Sequence, residues 1–277
     1  MRILAPLRRI TSFGGKLSVR ERYQWVSTFH NWKKEAFSEH LPTLSTPDTV
    51  AIVLSFQRPY NIDAIVRVLL RTPSIAKVIV SNNNPAYRMT DWLSVRSPRL
   101  SVLEQPIPRP RHIRFGLADR ETGYTNFLAV DDDVFLKPSQ LEVLCTALRL
   151  DPSRPHGVTG VLYDSWRGML YHNMNSRTAP VDVLNRVYAF TSTHVDAFFG
   201  LLREAGFGPT HSAWTTSYWD DIFLSFCTNK PMVQYTGPYL NCPSQNQADI
   251  AVSTRPEVMR LRLSILLMLR RMRPKQG

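Results

Sequence analysis

The chain has little of what disulfide-held, zinc-held or membrane-spanning proteins depend on. Its 277 residues include only three cysteines, Cys145, Cys227 and Cys242, with no CxxC pair and no His/Cys cluster at zinc spacing. Neither a disulfide scaffold nor a structural zinc site is expected. Cys145 falls in an apolar helical pattern and reads as a core residue. No apolar run reaches the roughly 18 residues of a membrane-spanning helix. The first fifty residues are rich in Arg, Lys and aromatics, but their opening apolar stretch is broken by Pro6 and Arg8, so no cleavable secretory signal is expected. A cytoplasmic or peripheral membrane location is therefore favoured over the Golgi lumen. Internal repeats and extended low-complexity segments are absent as well. A hydrophobic share of 43% against a charged share of 20% excludes a disordered chain.

Acids are also in short supply. The net charge is +12 and the pI is near 10.0, which favours acidic partners: nucleic acid, anionic lipid or a phosphorylated small molecule. Arginines gather at the two ends, at Arg2, Arg8, Arg9, Arg20 and Arg22 and again from Arg255 to Arg273, while acids sit mid-chain. Three of those acids are consecutive. Asp131, Asp132 and Asp133 follow the apolar run Phe127 to Val130 and precede Val134-Phe135-Leu136. Like charges on adjacent residues at the end of a buried strand repel one another and call for a cation or thorough solvation. Mg²⁺ and Mn²⁺ suit the position, since they take one or two carboxylates and complete their shell with water and phosphate oxygens. An exposed acidic turn is the plain alternative.

Hydrophobic patterning places the triplet within an α/β fold. A basic N-terminal arm and linker, residues 1–48, carries one expected helix over Val19 to Phe37 and a Pro/Ser/Thr linker from Leu41 to Pro47. A single domain over 49–250 follows. Thr49 to Phe56 is a β-branched apolar run without alternation, as a strand buried on both faces requires. Ile62, Ile65, Val66, Leu69 and Leu70 have helical spacing, and Ala76 to Ser81 is a second strand. This is a βαβ unit, with parallel strands and a right-handed crossover. A short strand at Leu100 to Leu103, a helix over His112 to Arg120, the strand Phe127 to Val130 and a helix over Pro138 to Leu150, with Ser139 as its cap, complete a mostly parallel first half. Strands around Gly157 to Tyr163 and Val187 to Ser192 come next, then a helix from Val195 to Ala205 that ends at Gly206, and an apolar helix opened by Asp220 and Asp221. Capping that helix is the structural role open to Asp220. Residues 251–277 form a basic C-terminal helix, apolar from Leu261 to Leu269 except at Arg262 and Ser264, able to pack on the domain or lie on an anionic surface.

Four polar clusters thus stand at strand ends or a helix start: Ser55 to Arg58, Asn82 to Asn84, the arginines near Arg114, and the acid triplet. Parallel strands bring such ends to one edge and one crevice. Amides, arginines and a carboxylate-held metal together suit a nucleoside diphosphate.

Ser55-Phe56-Gln57-Arg58, Lys77 to Asn83, Phe127 to Asp133 and Asp220-Asp221-Ile222, in that order and spacing, resemble the exostosin-type (family 64-like) glycosyltransferase domain, over about Thr49 to Asn229. The resemblance implies a Rossmann-like GT-A fold and a metal-dependent transferase. Such an enzyme moves a sugar, with retention, from a UDP-sugar such as a UDP-N-acetylhexosamine to a carbohydrate or glycolipid hydroxyl. It implies Asp133 as the direct Mn²⁺ (or Mg²⁺) ligand with Asp131 beside it, and Asp131 and Asp132 toward the nucleoside. Arg58, Asn82 and Asn83 would surround the uracil and diphosphate. Arg114, or Arg111 one turn earlier, would meet the donor. Asp221, with Asp220 adjacent, would lie near the reacting carbon. The family usually has a cysteine just before the acid pair, paired in a disulfide, and a long membrane-anchored stem. Here Trp219 takes the cysteine's place, which leaves Cys242 without that partner, and no such stem is seen. Trp166, Tyr171, His172, Trp214, Tyr218 and Trp219 offer aromatic faces for a carbohydrate, although core packing is the plainer role for any single one of them. His172 and His211 are metal ligands only if a partner meets them in space. The basic ends allow a peripheral membrane contact, and no nucleic acid is expected. The competing class is a non-enzymatic basic protein that binds nucleic acid or an anionic membrane and whose acid cluster is structural.

Overall fold

The structure is a computed structural model that describes residues 17–42, 46–166, 169–207, 219–246, 251 and 255–273, with the side chains of 169–173 and 246 outside the description. Nine strands of the described residues form one mixed sheet in the order β3-β2-β1-β4-β9-β6-β10-β8, with β7 paired to β6 off that path. The strands are β1 (Thr49–Ser55), β2 (Ile75–Asn82), β3 (Leu100–Glu104), β4 (Asn126–Asp131), β6 (His156–Asp164), β7 (Met169–Met174), β8 (Ala179–Pro180), β9 (Val183–Thr191) and β10 (Met232–Val233). The run β3-β2-β1-β4 is parallel throughout, as the βαβ pattern predicts. Beyond it β9 pairs antiparallel with both β4 and β6. A separate two-stranded ladder joins β5 (Val134–Phe135) to β11 (Leu240–Asn241).

The sheet is covered on both faces, which is why β1 has no polar alternation. Ala51 and Val53 point to one core, with α1 (Val19–Ser38), α2 (Pro59–Arg71) and α4 (Pro138–Leu150). Val50, Ile52 and Leu54 point to the other, with α3 (Ile113–Asp119), α5 (Ser192–Glu204), α6 (Asp220–Cys227) and α7 (Pro256–Met272). All seven β1 residues are buried, and each large aliphatic among them contributes about 1.5–3 kcal/mol over exposure. Cys145 lies in the first core, as expected.

Two terminal helices join these cores. On α1, Trp25 and Trp32 are buried and, with Phe29, gather around Phe135 at 4.8–5.9 Å between ring centroids. Phe135 is the second residue after the acid triplet, so the helix of the N-terminal arm braces the strand that leaves it. On α7, Ile265, Leu266 and Leu269 are buried in the second core, so its apolar face lies against the domain. No helix of the described residues is long and apolar enough to cross a membrane.

Two expected caps are replaced. Ser139 is not the N-cap of α4: Lys137 is, and the Glu39 carboxylate accepts from Ser139 N (2.9 Å) and Oγ (2.7 Å), meeting the positive end of the helix with the acid that follows α1. Nor does Asp220 cap α6. Trp219 holds the N-cap position with no side-chain bond, because Asp220 is drawn sideways to an arginine described below.

Candidate active site

Strand register brings the polar clusters together. Ser55 lies across from Asn82, and Leu54 across from Asp131, so the ends of β1, β2 and β4 open on one edge. Parallel α/β sheets place ligands outside that edge.

Each acid of the triplet has a different environment. Asp132 is buried: its Oδ1 accepts from Arg58 Nη1 (2.8 Å), its Oδ2 from the Phe56 amide (3.3 Å), and its backbone carbonyl from Asn61 Nδ2 (2.7 Å). Arg58 is itself buried, and its other nitrogens donate to Ser244 Oγ (2.7 Å) and Ser244 O (3.2 Å) and reach Asp133 Oδ2 at 3.4 Å. Burial alone would lower the Arg58 pKa, but Asp132 and Asp133 outweigh it and hold it above its ordinary value. Asp133 is the exception among these acids. Its Oδ1 is buried without a hydrogen-bond partner, and burial pushes its carboxyl up to about 6 despite the pull of Arg58. The segment behind it is pinned, since the Cys242 amide donates to Asp133 O at 2.8 Å where β11 meets β5.

Asp131 belongs to a second network that spans to α6. Arg114, in the first turn of α3 and 3% exposed, donates from Nη2 to Asp131 Oδ1 (3.0 Å) and from Nη1 to the Tyr188 hydroxyl (3.1 Å), and its Nε lies 3.3 Å from Asp220 Oδ2. One guanidinium thus joins the end of β4 to the start of α6. Burial disfavours the charge on Arg114, and Tyr188, Asp220 and Asp131 more than restore it, so its pKa is raised. Burial raises the Asp220 carboxyl, with Arg114 opposing.

Asp221 is held from two further elements. Arg262, on α7, makes a bidentate pair with it, Nη1 to Oδ1 at 2.8 Å and Nη2 to Oδ2 at 2.7 Å. With its amide nitrogen turned toward the carboxylate, Asn185 on β9 donates to Oδ2 at 3.0 Å. Patterning did not single out Arg262, although a lone arginine in the apolar run Leu261 to Leu269 signals a buried partner. Ser244, Tyr188 and Asn185 were missed too, and nothing in their local sequence marks them.

The remaining expected residues are at or behind this edge. Asn82 is buried and donates to Tyr87 O (2.8 Å) and Glu104 Oε2 (2.6 Å), which fixes the turn after β2. Asn83 Oδ1 accepts from Ser81 Oγ (2.8 Å), and the Asn83 backbone N–H donates to Ser55 O (2.7 Å), tying β2 to β1. Arg111 is exposed and accepts from Arg114 Nε through its carbonyl (3.3 Å). Of the aromatics, Trp219 is fully buried and stacked 5.9 Å from His112, a core position that does not face a ligand. Trp166 is 98% exposed. His211, Trp214 and Tyr218 lie outside the described residues, as do the side chains of Tyr171 and His172.

Asp133 offers a place for a divalent cation. A buried carboxylate oxygen without a donor, beside a second carboxylate at Asp131 that is 26% exposed, suits a hard cation that completes its shell with water and phosphate. Among the described residues no three His, Cys, Asp or Glu side chains are grouped to hold a metal. Compared with known proteins, the chain matches no family model and no curated sequence.

Proposed function

We propose that the protein is a metal-dependent glycosyltransferase of GT-A type that uses a UDP-sugar donor, the reading implied by the resemblance to the exostosin-type domain. One observation carries it. Five carboxylates, Asp131 to Asp133 with Asp220 and Asp221, share an edge with three paired guanidiniums, those of Arg58, Arg114 and Arg262, and Asp133 Oδ1 is left buried without a donor. A buried carboxylate oxygen without a donor is costly unless a cation or water meets it. A cation with a diphosphate meets it.

In this reading Asp133 and Asp131 hold Mn²⁺ or Mg²⁺. The ion, when bound, supplies Lewis-acid charge at the diphosphate oxygens as the glycosidic bond to phosphate breaks. Arg58 acts from behind: by pairing with Asp132 and Ser244 it keeps the triplet's backbone in place. Arg114 keeps the Asp131 and Asp220 sides at a set separation. Asp221, with both oxygens already accepting from Arg262 and one also from Asn185, is an oriented charge beside the sugar, where positive charge develops in the transition state. The acceptor is a carbohydrate or glycolipid hydroxyl.

The deciding experiment is calorimetric titration of UDP with and without Mn²⁺, on the wild type and on Asp133→Asn. UDP should bind with Mn²⁺ and bind far more weakly without it, and the isosteric variant should fold but lose the metal dependence. Absence of metal-dependent UDP binding by the wild type would overturn the transferase reading and favour a basic binding protein with a structural acid cluster.

A further inference from the structure

We propose that Arg186 is an anion-binding residue of this site, a guanidinium delivered by a strained bulge in β9 to take phosphate oxygens of the donor. The inference rests on the donor reading above.

Among the described residues Arg186 is the one non-glycine residue with a positive φ, at 65°. Side chains of L-residues rarely adopt that conformation, and glycine adopts it freely. The cause is in the ladder. Asn185 pairs with Thr159 and Tyr188 with Gly157, so Arg186 and Val187 together face the single residue Val158. This is a β-bulge of the kind whose left-handed position is ordinarily glycine. Gly157 of β6 lies close against the bulge: a Cβ there would stand 3.1 Å from Val187 O. On the other side of β9 the last pair with β4 is Val187 with Val130, which puts Arg186 level with Asp131, where the acid triplet begins. Strained residues persist where the surroundings over-determine them, and they cluster at functional sites.

The bulge aims the side chain. Asn185 is turned to Asp221, while Arg186 Nη1 donates to Asn241 Oδ1 at 2.7 Å. Asn241 pairs with Val134, the residue after Asp133, so the guanidinium is fastened beside the triplet. Unlike Arg58, Arg114 and Arg262, however, it forms no ion pair with a carboxylate among the described residues, and it is only half-buried. A cation held at an acid cluster and not neutralised by it has room to meet an anion. A guanidinium with one nitrogen on Asn241 retains further N–H donors for a forked contact with phosphate.

The test compares wild type, Arg186→Gly and Arg186→Lys in the full chain by calorimetry with UDP and with uridine at saturating Mn²⁺, and with Mn²⁺ alone. Arg186→Gly should bind UDP about ten- to a hundredfold more weakly, the loss expected for a charge-assisted hydrogen bond. Uridine binding should be unchanged, Mn²⁺ binding unchanged or tighter because a positive neighbour of Asp133 is gone, and the melting temperature raised because glycine relieves the backbone. Arg186→Lys should lie between the two for UDP. UDP affinity within twofold of wild type in Arg186→Gly would overturn the assignment. So would an equal loss of UDP and Mn²⁺ binding, which would make Arg186 a support of the triplet. If the wild type itself binds no UDP with Mn²⁺, the donor reading falls and this inference with it.

Discussion

Replacing Arg114 with leucine should cost about 3–5 kcal/mol of folding stability, the range found when one member of a buried ion pair is removed. The magnitude follows from what is left behind. Arg114 and Asp220 are each 3% exposed, and the guanidinium also holds Asp131 at 3.0 Å and the Tyr188 hydroxyl at 3.1 Å. Leucine fills most of the space but leaves the Asp220 carboxylate in a dry site that already raises its pKa, with its nearest compensating charge gone. Against a total of about 5–15 kcal/mol for a domain, that is a large fraction. With a denaturant slope of about 2 kcal/mol per molar urea, the midpoint should fall by about 2 M. The assay is urea unfolding followed by far-ultraviolet circular dichroism at pH 7 and constant ionic strength. Adding Asp220→Asn to Arg114→Leu removes the stranded charge and should recover about half of the loss, so the double-mutant cycle should show coupling of about 1–3 kcal/mol. A single-variant loss under about 1 kcal/mol, or strict additivity in the cycle, would refute the bridge between β4 and α6.

Arg262→Ala should leave UDP affinity nearly intact while slowing sugar transfer about a hundredfold, since Asp221 loses its bidentate hold and a small misplacement near the reacting atoms is costly. Steady-state kinetics with a UDP-sugar checks it, and unchanged turnover would detach α7 from the chemistry. Arg262→Lys should rescue little, because an ammonium cannot reproduce a forked contact. Acidification should destabilise the fold through its buried histidines. Burial pushes His194 down to about 4 from an ordinary value of 6.5, so the folded state keeps it neutral while the unfolded chain takes up the proton. The stability it contributes is complete above pH 6.5 and is lost as pH falls toward 4, about 2 kcal/mol of it between pH 7 and pH 5. His112, pushed to about 4, and His156, also lowered by burial, act in the same direction. Urea unfolding at the two pH values measures this. His194→Gln should reduce the pH dependence, and an unchanged slope would exclude His194 as a source.

The first half of the fold was legible because its signals are local. β1, α2, β2 and β4 each declare themselves by periodicity, and parallel pairing then carries Ser55, Asn82 and Asp131 to one edge with no further information needed. The second half was read less well, since β6 to β10 form a mixed arrangement whose pairings depend on a bulge and on two-residue strands. Strand-end patterning brought Arg58, Asn82 and Asn83 to the site, the resemblance suggested their roles, and contacts showed how each is engaged. Arg58 is tied to Ser244, 186 positions away, and Asn82 to Glu104 across the β2–β3 ladder, partnerships that no nearby pattern encodes.

From the sequence alone came a strand ending in three carboxylates, and with it the need for positive charge, because repulsion between adjacent acids does not depend on the rest of the chain. The tertiary structure decided how that need is met and where it is not. It set Arg58 on Asp132, Arg114 between Asp131 and Asp220, and Arg262 from the last helix on Asp221, and it left Asp133 Oδ1 without a donor. It also placed Arg186 in a backbone conformation that its own chemistry disfavours. Local pattern reports what a residue prefers. Only packing among distant elements determines which charges meet and which preference is overruled.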